Sequence, residues 1–118
     1  MQLDQRANFY LINKPINYTS QDVCAVIKKK YNYKKVGHSG TLDPLATGLL
    51  IVATNAYTKL LPYITKYDKT YIVQAIFGHH SESGDMGTKI DKVEDYFVKD
   101  TIDQINKGIK TFVGSIVQ

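Results

Sequence analysis

One cysteine, Cys24, is the only thiol among 118 residues. A single thiol excludes an internal disulfide and any multi-cysteine zinc site, and it suits a reducing, cytoplasmic setting. Long apolar runs are missing as well. The longest, Gly48-Leu49-Leu50-Ile51-Val52-Ala53, falls far short of the roughly 20 residues that a membrane span needs. The opening residues Met1-Gln2-Leu3-Asp4-Gln5-Arg6 hold an acid and no apolar core, so a secretory signal is not expected there. No internal repeat, low-complexity tract or linker interrupts the chain. What is present is ordinary globular composition, 43% hydrophobic and 22% charged. The length suits one modest domain that buries roughly two-thirds of the surface it would expose unfolded.

Charge is uneven. Residues 1–66 hold nine Lys and Arg against three acids, Asp4, Asp22 and Asp43, for a net +6. Residues 67–118 hold six lysines against eight acids, for a net −2. A basic half fits a phosphate-bearing partner, although charge alone does not select nucleic acid.

Phe9 to Asn13 reads as a strand stopped by Pro15. A turn follows, with Asn17 of a residue type that tolerates left-handed backbone. Thr19 or Ser20 then caps a helix running to about Tyr31, its apolar stripe being Val23, Val26 and Ile27, with Cys24 beside it. The helix ends in Lys28-Lys29-Lys30, favourable at the negative end of its dipole. The triplet is either a solvated helix end or an RNA contact. Asn32 to Gly48 shows no periodicity and reads as a long, functional loop. A strand is expected at Leu49–Ala53, a short helix at Tyr57–Ile64 with Pro62 near its end, and a clear strand at Lys69–Phe77. His79–Lys89 reads as a loop. Asp100-Thr101-Ile102-Asp103 resembles an acidic capping box, opening a helix with Ile102, Ile105 and Ile109 on one face. Phe112–Val117 reads as a last strand. Strands and helices mix without regular alternation, which predicts an α+β fold, its sheet mixed and mainly antiparallel with flanking helices.

The informative segment is Val36-Gly37-His38-Ser39-Gly40-Thr41-Leu42-Asp43-Pro44-Leu45-Ala46-Thr47-Gly48. It is a glycine-hinged loop that presents one carboxylate. Leu42 and Leu45 flank Asp43 and could partly desolvate it, and Pro44 stiffens the chain beyond it. A fixed acid among apolar neighbours suits nucleophilic or acid–base chemistry. The bland alternative is that Asp43 only caps a turn. His79 and His80, adjacent on a loop with no clear third ligand, make a poor metal site.

The stretch Gly-His-Ser-Gly-Thr-Leu-Asp-Pro-Leu-Ala-Thr-Gly resembles the signature of the TruB-type tRNA pseudouridine synthases. Three further segments are similar to that family in order and approximate spacing. They are Leu11-Ile12-Asn13-Lys14-Pro15 followed by Thr19-Ser20, Asp68-Lys69-Thr70-Tyr71, and Phe112-Val113-Gly114-Ser115-Ile116-Val117-Gln118. The resemblance implies the pseudouridine synthase catalytic fold and isomerisation of a uridine in the TΨC loop of tRNA, with no cofactor, no metal and a monomeric, cytoplasmic enzyme. It puts Asp43 on the catalytic aspartate and Tyr71 on a tyrosine that packs against the target base. It puts His38 on a histidine that helps hold the flipped base, and Asp85 on an aspartate near the site. Lys14 either contacts the site or RNA backbone, or braces the loop electrostatically. Two departures stand out. Asn17-Tyr18 replaces the usual glycine before Thr19-Ser20, and Ser81-Glu82-Ser83-Gly84-Asp85 is a diverged acidic loop. The resemblance also implies that the catalytic domain continues past Gln118 with an arginine for the carboxylate, pocket-wall residues and, in many members, a C-terminal RNA-binding domain. The 118 residues would then be the N-terminal portion of that domain. The rival reading is a truncated or inactive synthase that only binds RNA.

Overall fold

The computed structural model describes residues 6–93 and 102–117. They fall into two units, Met1–Ile72 and Val73–Gln118. The first is built on three strands, β1 (Phe9–Lys14), β2 (Val36–His38) and β3 (Gly48–Thr54), in the order β1-β3-β2. Both pairings are antiparallel, from Phe9 opposite Ala53 to Lys14 opposite Gly48, and from Val36 opposite Thr54 to His38 opposite Val52. Opposed residues share a face, so Ile12, Leu50, Val52 and Val36 point to one side. Helix α1 (Ser20–Tyr31) supplies Val23, Cys24 and Ile27 to the same core. Burying each of Val23, Ile27, Leu50 and Val52 contributes about 1.5–3 kcal/mol.

Local chemistry fixes both ends of α1. Thr19, not Ser20, is the cap: its hydroxyl accepts from the Asp22 N–H at 3.0 Å and its own N–H donates to the Asp22 carboxylate at 2.8 Å. This reciprocal pair satisfies two otherwise orphaned donors. At the other end Asn32 turns left-handed, with φ of 54°. The predicted stripe needs one correction. Val26 is 53% exposed while Cys24 is buried, because Val26 lies about 100° around the helix from Ile27, the middle of the inward face.

Part of the expected long loop is strand. Val36-Gly37-His38 pairs along β3 but is too short to show periodicity. After β3 the chain makes a 3-10 segment, Asn55–Leu60, and then one turn of helix α2, Leu61–Ile64. Pro62 stands in the first turn of α2, not near the end of one continuous helix as expected. There its missing N–H costs no intrahelical bond.

Two expected strands are absent among the described residues. Lys69–Phe77 and Phe112–Val117 have no ladder, and Tyr71, Ile72, Val73 and Phe77 are exposed. An alternating pattern prepares a strand, but the backbone needs a partner to become one. The second unit holds a small antiparallel pair, β4 (His79–His80) with β5 (Asp91–Lys92), closing the loop between them. It also holds α3 (Ile102–Lys110), on which Ile102 and Ile109 are exposed. Asp100 and Thr101 of the expected capping box lie outside the described residues, as does Gln118. The α+β class stands, and every described strand pair is antiparallel.

Candidate active site

The loop that carries Asp43 leaves β2 after His38 and enters β3 at Gly48, whose φ of 121° is a conformation glycine adopts without strain. Lys14 ends β1 directly opposite Gly48. Lys14 thus lies at one end of the three-stranded sheet, His38 ends β2 opposite Val52, four positions further along β3, and the loop that holds Asp43 spans the stretch between them.

Asp43 sits between two clamped neighbours. On one side is Leu42, whose N–H donates to the Ser20 hydroxyl at 2.9 Å while that hydroxyl donates to the Leu42 carbonyl at 3.4 Å. Ser20 is itself buried at the start of α1. On the other side is Pro44, whose carbonyl accepts from the Asn17 N–H at 2.8 Å and from Lys14 Nζ at 3.3 Å. Asn17 reaches it from a left-handed turn with φ of 67°. The Ala46 N–H bonds the Asp43 carbonyl at 3.0 Å and closes a turn over Pro44 and Leu45. The carboxylate itself is exposed. The expected desolvation by flanking leucines is not seen. Leu42 turns toward the core and Leu45 is itself partly exposed, because neighbours in a turn diverge in direction.

Lys14 is fully buried. Its ammonium donates to the carbonyls of Pro15 at 3.0 Å, Pro44 at 3.3 Å and Tyr18. Three donors meet three acceptors, which is what a buried charge requires. These bonds tie the ammonium to the backbone on both sides of the Asn17 turn and to the residue after Asp43. His38 makes a 2.7 Å bond from Nδ1 to the Gly40 carbonyl. A carbonyl only accepts, so in this bond Nδ1 is the donor. The loop's first turn is held further by the Ser39 N–H on the Ile51 carbonyl at 2.9 Å and the Thr65 hydroxyl on the Ser39 carbonyl at 2.8 Å.

Two candidates remain, Tyr71 and Asp85. Tyr71 is 65% exposed, with no hydrogen bond or ring contact among the described residues. Asp85 belongs to the second unit. Its Oδ1 accepts from the Ser83 hydroxyl at 2.6 Å and the Gly87 N–H at 2.7 Å. Those bonds, the hydroxyl's first, hold its carboxyl below the usual range. No group of three His, Cys, Asp or Glu among the described residues could hold a metal. No described helix is long and apolar enough to cross a membrane.

The bond from Ser20 to the residue before Asp43 is the contact that sequence reasoning missed. The Thr19-Ser20 pair offered a signal, since one hydroxyl suffices for the cap and the second is left for another task.

The model of the TruB family pseudouridylate synthases, N-terminal domain, matches residues 28–118. A tRNA pseudouridine synthase B from Sulfurovum sp. (strain NBC37-1) is 45% identical over 103 residues, covering 86% of this chain and 37% of that relative. One from Malacoplasma penetrans (strain HF-2) is 46% identical over 84 residues, 71% of this chain and 36% of the relative. One from Borreliella burgdorferi (strain ZS7) is 39% identical over 110 residues, 93% of this chain and 38% of the relative. The chain thus spans well under half the length of these curated relatives.

Proposed function

Because the chain belongs to the TruB family of pseudouridylate synthases, we propose that it carries the aspartate loop of an enzyme that isomerises a uridine of tRNA to pseudouridine. The target is the uridine of the TΨC loop. The observation that carries this reading is the exposed Asp43 carboxylate held between the doubly bonded Leu42 and Pro44. The relatives' shared name, tRNA pseudouridine synthase B, supports the substrate class.

Isomerisation breaks the bond between uracil N1 and ribose C1′, turns the ring and joins it through C5. No atom is gained or lost apart from the exchange of the C5 hydrogen, so the reaction is redox-neutral and asks for no electron carrier. It asks for a carboxylate positioned near C1′ and C6, which is Asp43. Backbone clamps on both sides limit its wandering, and rates depend steeply on such placement. The reacting base must leave the stack. His38, its Nδ1 committed to Gly40, presents Nε2 toward the displaced base. Tyr71 offers a phenol face for stacking on uracil. Asp85 contributes from the acidic loop, and Lys14 braces the Asp43 turn from beneath.

The test is tritium release from tRNA labelled at uridine C5, followed by mapping of pseudouridine by primer extension after carbodiimide treatment. One equivalent released, with a single stop in the TΨC loop, is the expected result. Release from other positions would refute the target, and binding without release would leave only an RNA-holding protein.

A further inference from the structure

Twenty residues, 23–42, contain no Asp or Glu but hold Lys28, Lys29, Lys30, Lys34 and Lys35. The first three fan over roughly 200° of the last turn of α1. All five lysines are exposed, and none pairs with a carboxylate among the described residues. The nearest acid in sequence before them, Asp22, is spent on the cap at the other end of the helix. A helix C-terminus carries about half a negative charge. One lysine neutralises it, so five leave a strong positive excess.

Aromatic rings are interleaved with this charge. Tyr31 is 49% exposed and stacks on Tyr10, centroids 5.7 Å apart and planes 19° from parallel. Lys30 Nζ lies 5.3 Å from the Tyr31 ring centre. Tyr33 bonds Tyr10 hydroxyl to hydroxyl at 2.7 Å and takes a bond from the Asn8 amide at 2.8 Å. The platform is also anchored. Asn55 clamps the Lys35 backbone from both sides, its N–H on the Lys35 carbonyl at 2.8 Å and its Oδ1 accepting from the Lys35 N–H at 3.2 Å. From Lys35 the chain runs as strand directly to His38, about 10 Å along.

We infer that Lys28, Lys29, Lys30, Lys34 and Lys35, with Tyr31, form a ledge that carries the phosphate backbone of a structured RNA toward the Asp43 loop. This rests on the proposed action on tRNA. Charge complementarity selects the partner: clustered, unpaired ammoniums beside an exposed ring suit a polyphosphate strand. The ledge reads no bases. It raises affinity and sets the approach, and leaves the chemistry to the loop.

The experiment compares the protein with Lys28→Gln/Lys29→Gln/Lys30→Gln and Lys34→Gln/Lys35→Gln variants. Circular dichroism confirms that each remains folded. Binding of unmodified tRNA is measured by filter retention across a salt series, and turnover by tritium release. When the two sets are combined so that all five lysines are changed, the slope of log affinity against log salt should flatten by about 3.5–4.5, since each phosphate contact contributes roughly 0.7–0.9. KM should rise about tenfold or more while kcat at saturating tRNA stays within about twofold. A Lys107→Gln/Lys110→Gln variant, which loses as much charge as the Lys34/Lys35 variant, should keep its slope. Folded ledge variants with unchanged affinity and slope would overturn the ledge, and so would an equal loss in the Lys107/Lys110 variant. A parent protein that binds tRNA without releasing tritium, but loses affinity when the ledge is changed, would keep the ledge and refute the proposed isomerisation instead.

Discussion

The hydroxyl of Ser20 bonds both the N–H and the carbonyl of Leu42, at 2.9 and 3.4 Å, and so fixes the residue before Asp43 to the first turn of α1. Ser20→Ala should therefore damage turnover more than binding. Losing this clamp lets the carboxylate drift, and a displacement of about 1 Å can cost on the order of a hundredfold in rate. The expected outcome is a kcat lowered about ten- to a hundredfold with tRNA affinity within about twofold. Equal losses in kcat and affinity would assign Ser20 to binding or folding instead.

Lys14→Met tests the other clamp. The change leaves the Pro15 and Tyr18 carbonyls without this donor, and Pro44 with Asn17 alone. Removing a buried charged donor from its acceptors destabilises by about 1–3 kcal/mol, even after the relief of burying no charge is counted. Urea titration should show an earlier midpoint, and turnover should fall with it. An unchanged midpoint would mean that the cage contributes nothing net.

The capping box gives a pH signature. Hydrogen bonds from Thr19 hold the Asp22 carboxyl below its ordinary value. A lowered folded-state pKa stabilises the fold above the unfolded value, about 3.9, and that contribution is lost as pH falls through the folded value. Acid titration followed by helical ellipticity should therefore begin at higher pH in Asp22→Asn than in the parent, whose cap persists further into acid. Superimposable acid transitions would contradict the cap.

Strong local rules made much of this readable in advance. Strand β1, helix α1 with its cap, the Asn17 turn and the loop around Asp43 all follow from spacing and residue type. Strand β2 did not, because three residues around a glycine carry no periodicity. Lys69–Phe77 misled in the other direction: its alternation is real, but pairing is a property of neighbours and not of the segment. The Asp43 loop was legible as a motif, whereas its clamps were not. Ser20, Asn17 and Lys14 reach it from 22, 27 and 30 positions away along the chain, and no local pattern records such contacts.

Asp43→Asn is the most direct test of the account. Binding of tRNA is spread over many phosphate contacts, whereas the isomerisation needs this one carboxylate. Paired measurements of C5 tritium release and filter binding should show pseudouridine formation abolished and tRNA affinity kept within several-fold. Turnover retained within about tenfold of the parent would contradict the assignment of Asp43 as the catalytic group.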